Sequence, residues 1–221
     1  MSVNRDSASL LIKGQRLFEE HNIKEAFELF DEVIRLDPEY SEAYLVKAEA
    51  LMEMMEMDEA EECIKAYQRF VPESTRACTD LMDIHYEAGE FDESMVYCDK
   101  LLKRWSGDPF LCAIKAFLLA HLNRTDEALS YYDKAIALKP DFYDALCDKA
   151  CLLSDCGCHS ESLEAYKRGI SMEPGKAEAY FGAACACQQL GYKSKARFYM
   201  DKARELEPED EFMNLHFKLL Q

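Results

Sequence analysis

The sequence predicts an all-α protein built from repeated pairs of antiparallel helices, and three observations carry that expectation. Glycine and proline are scarce, at 8 and 6 of 221 residues, while Ala, Leu, Glu, Lys and Met abound, which favours helices over a turn-rich sheet protein. The prolines, at 38, 72, 109, 140, 174 and 208, follow one another at 34, 37, 31, 34 and 34 residues, so that only Pro109 leaves a common phase. In the stretch from Arg124 to Pro140, Leu129, Tyr132, Ala135, Ile136 and Leu138 recur at helical spacings, and the proline then stops the helix.

Blocks of 34 opened at Ser7, Ser41, Thr75, Pro109, Tyr143 and Ala177 stay in register to residue 210. The eighth place is Gly14, Ala48, Met82, Ala116, Ala150 and Ala184, small in all but one block. The twentieth is Ala26, Ala60, Ser94, Ala128, Ser162 and Ala196, all small, and the twenty-fourth is Phe30, Ile64, Cys98, Tyr132, Tyr166 and Met200, all apolar or amphipathic. Small residues let helices approach closely and the large ones fill the remaining space. Mid-block, His21-Asn22, Gly89, Asn123, Gly157 and Gly191 tolerate a left-handed backbone, and Met55 breaks that pattern. Each block therefore reads as helix, turn, helix. Pro109, following Asp108, suits the first turn of a helix, where a missing N–H costs nothing. Residues 1–6 are expected to fray, 7–210 to form one domain, and 211–221 to cap its open end through Phe212, Leu215 and Leu219.

The period of 34 and the order small, small, aromatic or aliphatic, proline resemble tetratricopeptide repeat proteins over the whole span from Ser7 to residue 210. The resemblance implies six tandem repeats in a right-handed superhelical solenoid. Lys13, Lys47, Lys115 and Lys149 depart from it by standing where the family pattern usually has leucine, and the block from Thr75 is the most divergent. The resemblance also implies a concave groove lined by the first helix of each repeat. Carried onto this sequence, the groove residues are Leu11, Leu45, Glu49, Glu53, Asp80, Asp83, Glu87, Phe110, Ile114, Phe117, Asp148 and Phe181, an alternation of apolar patches and carboxylates. Relatives that grip the C-terminal carboxylate of a chaperone use lysine, asparagine and arginine at groove places. Arg76 is the only cation among the corresponding places here, so such a ligand is not expected.

The 43 acidic against 26 basic side chains, a net charge of −17, point the same way: this surface repels nucleic acid and anionic membranes and attracts basic partners. The expected activity is a protein-binding scaffold for a basic or amphipathic peptide or helix, with a self-associating module as the alternative. No run reaches transmembrane length and the N-terminus lacks a secretory leader, so a reducing cytoplasm is expected and the ten cysteines are read as thiols. Cys147, Cys151 and Cys185 fall on neighbouring helices and are the candidates for a thiol-based metal or redox site. They form no C-x-x-C pair, and neither a metal nor another cofactor is expected. The five histidines are scattered, there is no H-E-x-x-H or phosphate loop, and no nucleophile stands beside a base, so the chain is not expected to be an enzyme.

Overall fold

The computed structural model describes residues 3–209, with side chains from residue 6 onward. The described residues form twelve α-helices and no strand: α1 (Val3–Glu19), α2 (Ile23–Leu36), α3 (Ser41–Glu53), α4 (Met57–Phe70), α5 (Thr75–Glu87), α6 (Phe91–Arg104), α7 (Pro109–His121), α8 (Thr125–Leu138), α9 (Tyr143–Asp155), α10 (His159–Met172), α11 (Ala177–Gln189) and α12 (Lys193–Leu206). Five first helices begin at the block openings read from the sequence. The sixth, α1, begins at Val3, so residues expected to fray are already helical. The expected capping helix at 211–221 lies outside the described residues.

The turn inside each pair is the same in all six. His21, Met55, Gly89, Asn123, Gly157 and Gly191, one repeat apart in succession, all take a positive φ between 59° and 78°. At each turn the amide one residue further on donates back across the helix end: Asn22 N–H to Leu17 at 2.8 Å, Glu56 to Leu51 at 2.9 Å, Arg124 to Leu119 at 2.8 Å, and likewise at the other three. This is the left-handed C-terminal motif that satisfies the last carbonyls of a helix. Met55 therefore does not break the pattern. The backbone bonds impose the left-handed turn even on a side chain that disfavours it. At the other ends, Ser74 accepts from the Ala77 amide, and Asp108 accepts from Phe110 and Leu111 ahead of Pro109 in the first turn of α7.

Helices of 13 or 14 residues are marginal alone in water, so packing must hold them. They group into two compact units, Met1–Arg104 and Trp105–Gln221, where the sequence reads as one repeat array. In the first, α1/α2, α3/α4 and α5/α6 pair, and α2 packs on α3 and α4 on α5. In the second, α7/α8, α9/α10 and α11/α12 pair, with α8 on α9 and α10 on α11. The residues at the twentieth place, Ala26, Ala60, Ser94, Ala128, Ser162 and Ala196, are completely buried. A Cβ on Gly14 would lie 2.7 Å from the Phe30 ring, which shows how close α1 and α2 come. Around these contacts gather Leu11, Phe30, Val33 and Val46 in one cluster, Ile64, Leu81 and Ile84 in a second, and Tyr143, Leu163 and Tyr166 in a third. In α8 the buried residues are Ala128, Tyr132 and Ala135, and Leu138, expected on the apolar stripe, is exposed.

The divergent repeat compensates with polar contacts. The Ser94 hydroxyl donates to the Met82 carbonyl at 2.8 Å, and buried His85 lies 2.7 Å from Glu90 and 3.5 Å from Glu61 with its ring stacked on Tyr97. Two of the lysines in place of leucine reach back to the preceding pair, Lys47 to Asp31 at 2.6 Å and Lys149 to Asp133 at 2.5 Å, and Lys115 lies over the Tyr131 ring. Exposed pairs of this kind add about 0–1 kcal/mol each.

Two stability predictions follow from the turns and the helix contacts. Met55 is 68% exposed, so Met55→Gly removes little packing. It relieves roughly 1–2 kcal/mol of left-handed strain against an entropic cost of about 0.5–1 kcal/mol. A rise in melting temperature of about 2–3 °C is expected by calorimetry, and a fall would contradict the turn geometry. At Gly182 a Cβ would enter the buried Tyr166 ring. Overpacking of roughly 1–3 kcal/mol exceeds the helix-propensity gain of up to about 1 kcal/mol. Gly182→Ala is therefore expected to lower the urea midpoint, and a raised midpoint would mean that the α10–α11 contact is looser than described.

Candidate functional site: two repeat-equivalent clefts

The first helices of successive pairs do not close on each other completely. In the first unit a cleft of about 490 Å³ opens between α1 and α3, with Gln15, Phe18 and Glu19 on one side, Val46, Glu49 and Glu53 on the other, and Phe30 of α2 as an aromatic wall. In the second unit a cleft of about 280 Å³ opens between α7 and α9, lined by Phe117, Ala120, His121, Asp148, Cys151, Leu152 and Asp155, with Tyr132 of α8 as its wall. Every residue lining the second cleft lies three repeat lengths after one lining the first: Tyr132 after Phe30, Asp148 after Val46, Cys151 after Glu49, Asp155 after Glu53. The repeat thus builds one kind of cleft, and the sequence varies what lines it.

The residues expected in the groove divide between these clefts, the surface and the core. Glu49, Glu53, Phe117 and Asp148 line the clefts. Leu11 and Leu45 do not contribute to a binding surface: both are buried, and Leu11 packs with Ala26, Phe30, Ala43 and Val46 between α2 and α3. Cys147, at the same place in its own repeat, is buried as well. Phe181 is half-buried against Ala177 and Ala203. Phe110 is 53% exposed, with its ring 4.9 Å from Phe142 and the Lys139 ammonium 4.6 Å above it, and Ile114 is exposed one turn further along α7. Sequence reasoning missed Phe30 and Tyr132, which belong to second helices. Their signal was the recurrent large residue at the twenty-fourth place.

Carboxylates crowd the first helices of both units. Arg76 of α5 pairs with Glu49 of α3. Even so, burial, with Glu49 and Asp83 nearby, outweighs Arg76 and pushes the Asp80 carboxyl up to about 6. Burial and Glu87 likewise raise Asp83. In the second unit burial, followed by Glu178 and Asp144, pushes Asp148 up to about 6. Glu53, Glu87 and Asp155 are exposed. Burial pushes the Cys147 thiol up to about 12 and raises Cys151 and Cys185, the reverse of what a thiolate ligand or nucleophile needs. Among the described residues no three His, Cys, Asp or Glu side chains converge as metal ligands.

The Asp148 shift sets a pH dependence whose direction is determined. The folded chain holds the Asp148 proton more tightly than the unfolded chain does. This contribution to stability is therefore fully present below the ordinary 3.8 and is lost as pH rises through about 6. Asp148→Asn is expected to stabilise the protein near neutral pH by on the order of 1 kcal/mol after solvent screening, with no gain at acid pH. Urea melts of both forms across that range test this, and a pH-independent difference would refute it.

The architecture is that of a tandem helix-pair repeat protein with clefts between consecutive first helices. Models of the tetratricopeptide repeat match residues 17–70, 111–142 and 177–210, and the chain belongs to that family. No curated protein matches it in sequence. Among solved structures it resembles PilW, a type IV pilus biogenesis factor (19% identity, 95% of this chain and 97% of that chain, TM-score 0.74). It also resembles pilF of Pseudomonas aeruginosa (13% identity, all of both chains, TM-score 0.71) and YrrB, described as a TPR protein with an unusual peptide-binding site (21% identity, 86% and 97%, TM-score 0.64). At these identities the likeness establishes the fold alone. No helix among the described residues is long and apolar enough to cross a membrane.

Proposed function

We propose that this chain is a non-catalytic scaffold that holds a basic, apolar-studded segment of a partner protein against the first helices of its repeats. The observation that carries the reading is the recurrence of one cleft in both units, each with an aromatic wall and carboxylates at its edge. Apolar pockets take apolar side chains, while Glu53, Asp80, Asp83 and Glu87 in one unit and Asp148 and Asp155 in the other attract cations. The net charge of −17 favours the same partners at long range and disfavours nucleic acid, anionic membranes and acidic chain ends. Peptide binding by YrrB supports the reading by analogy of fold. The ten cysteines, all free thiols, fit a reducing cytoplasm.

Fluorescence anisotropy with labelled synthetic peptides of basic-apolar, acidic-apolar and neutral-apolar composition tests it. Only the basic-apolar class is expected to bind, more weakly at high salt. Replacing Asp80, Asp83 and Glu87 together with Ser is expected to weaken that binding about tenfold. Equal binding of all three classes, or binding that ignores both salt and the triple substitution, would overturn the proposal.

A further inference from the structure

The cleft between α7 and α9 departs from its repeat-equivalent in one telling way. Where the first cleft has buried Val46, the second has Asp148, a half-buried carboxylate that faces no cation. The lysines of the adjoining elements are committed elsewhere: Lys149 to Asp133 at 2.5 Å, Lys176 to Glu173 and Asp144 at 3.3 and 3.6 Å, and Lys115 over Tyr131 at 4.6 Å. Asp155, two helical turns further along the same face of α9, is exposed at the edge of the cleft and makes no ion pair either. The opposite wall is aromatic, with the Phe117 and His121 rings 4.4 Å apart between centroids. A volume of about 280 Å³ admits one long side chain and not a helix or a folded partner.

We propose that this cleft receives a single arginine side chain of the bound segment, its guanidinium donating to the Asp148 carboxylate and lying against Phe117, with Asp155 drawing it in at the edge. The inference rests on the scaffold reading above and names the residue that the second unit selects. Arginine fits better than lysine because its planar guanidinium pairs bidentately with a carboxylate, stacks on an aromatic face and is less strongly hydrated than an ammonium, so it enters a half-buried site at lower cost. An apolar side chain would leave Asp148 buried without a partner, which the cleft penalises. The first cleft, with Val46 at the equivalent place, lacks this selectivity.

The test uses the full chain and three small probes, the N-acetyl amides of arginine, lysine and norleucine, followed by backbone amide shifts in NMR. The arginine probe is expected to shift the amides of Cys151 and Leu152, to bind severalfold more tightly than the lysine probe, and to lose about tenfold in affinity in Asp148→Asn. The norleucine probe is expected to leave these amides unmoved. Retained helical circular dichroism shows that the variant is folded. Equal shifts with norleucine, or unchanged arginine binding in Asp148→Asn, would overturn the proposal. The basic-apolar peptide of the anisotropy assay separates the two readings. If that peptide binds wild type and Asp148→Asn equally, the arginine receptor fails and the scaffold stands. If the arginine probe binds at the cleft while no basic peptide is retained, the scaffold reading fails and the receptor stands.

Discussion

Every helix pair in this protein depends on how closely its two helices approach at the eighth and twentieth places of the repeat. Neither helix is long enough to persist alone in water, and neither has an apolar face wide enough to be stable without a partner. At the twentieth place nothing larger than a methyl or a hydroxymethyl group stands, and all six residues there are completely buried. Because the backbones are so near, the large side chain at the twenty-fourth place can lie across the seam, as Phe30 does beside Gly14, and Tyr166 reaches onward to the next pair, over Gly182 of α11. The clefts are the space left over. They open where the side chains of consecutive first helices are too far apart to interlock and the aromatic wall behind them is already fixed.

The turn within each pair makes this contact repeatable. One left-handed residue and the backbone bond behind it set the angle at which the second helix leaves the first, and both recur at the same place six times. That constancy puts the same repeat places at the lining of both clefts, so a substitution at one place changes the chemistry of a cleft. Val46 and Asp148 are such a pair. One lines its cleft with an apolar side chain, and the other places a carboxylate in the same position at a cost in stability.

That cost is what makes the acidic first helices informative. Several exposed charged side chains are answered by an opposite charge three or four residues away, as in Arg35 with Glu32 and Lys167 with Glu164. Asp80 and Asp148 are treated differently: each is half-buried among other carboxylates, which destabilises its ionised form. Carboxylates held in this way gain more from an incoming cation than exposed ones do, because attraction is stronger where water is partly excluded and the cation also offsets the repulsion among them.

The repeat phase, the positions of the turns and the small residues at the helix contact could all be read from the sequence, because each rests on local chemistry that recurs every 34 residues. The left-handed turn at His21 and Asn123 and the first-turn role of Pro109 belong to that legible part. The acidic character of the first helices was legible too, since it needs only composition and register. Tertiary structure alone decided which of those residues reach a cavity. Leu11 and Leu45 lie on first helices with groove residues yet are buried, and Phe30 and Tyr132 lie on second helices yet wall the clefts. It also decided that Met55 is left-handed, because backbone hydrogen bonds across the turn outweigh what its side chain prefers. The physical reason is the same in each case: sequence periodicity fixes a direction around one helix axis, whereas burial depends on where the neighbouring helices stand.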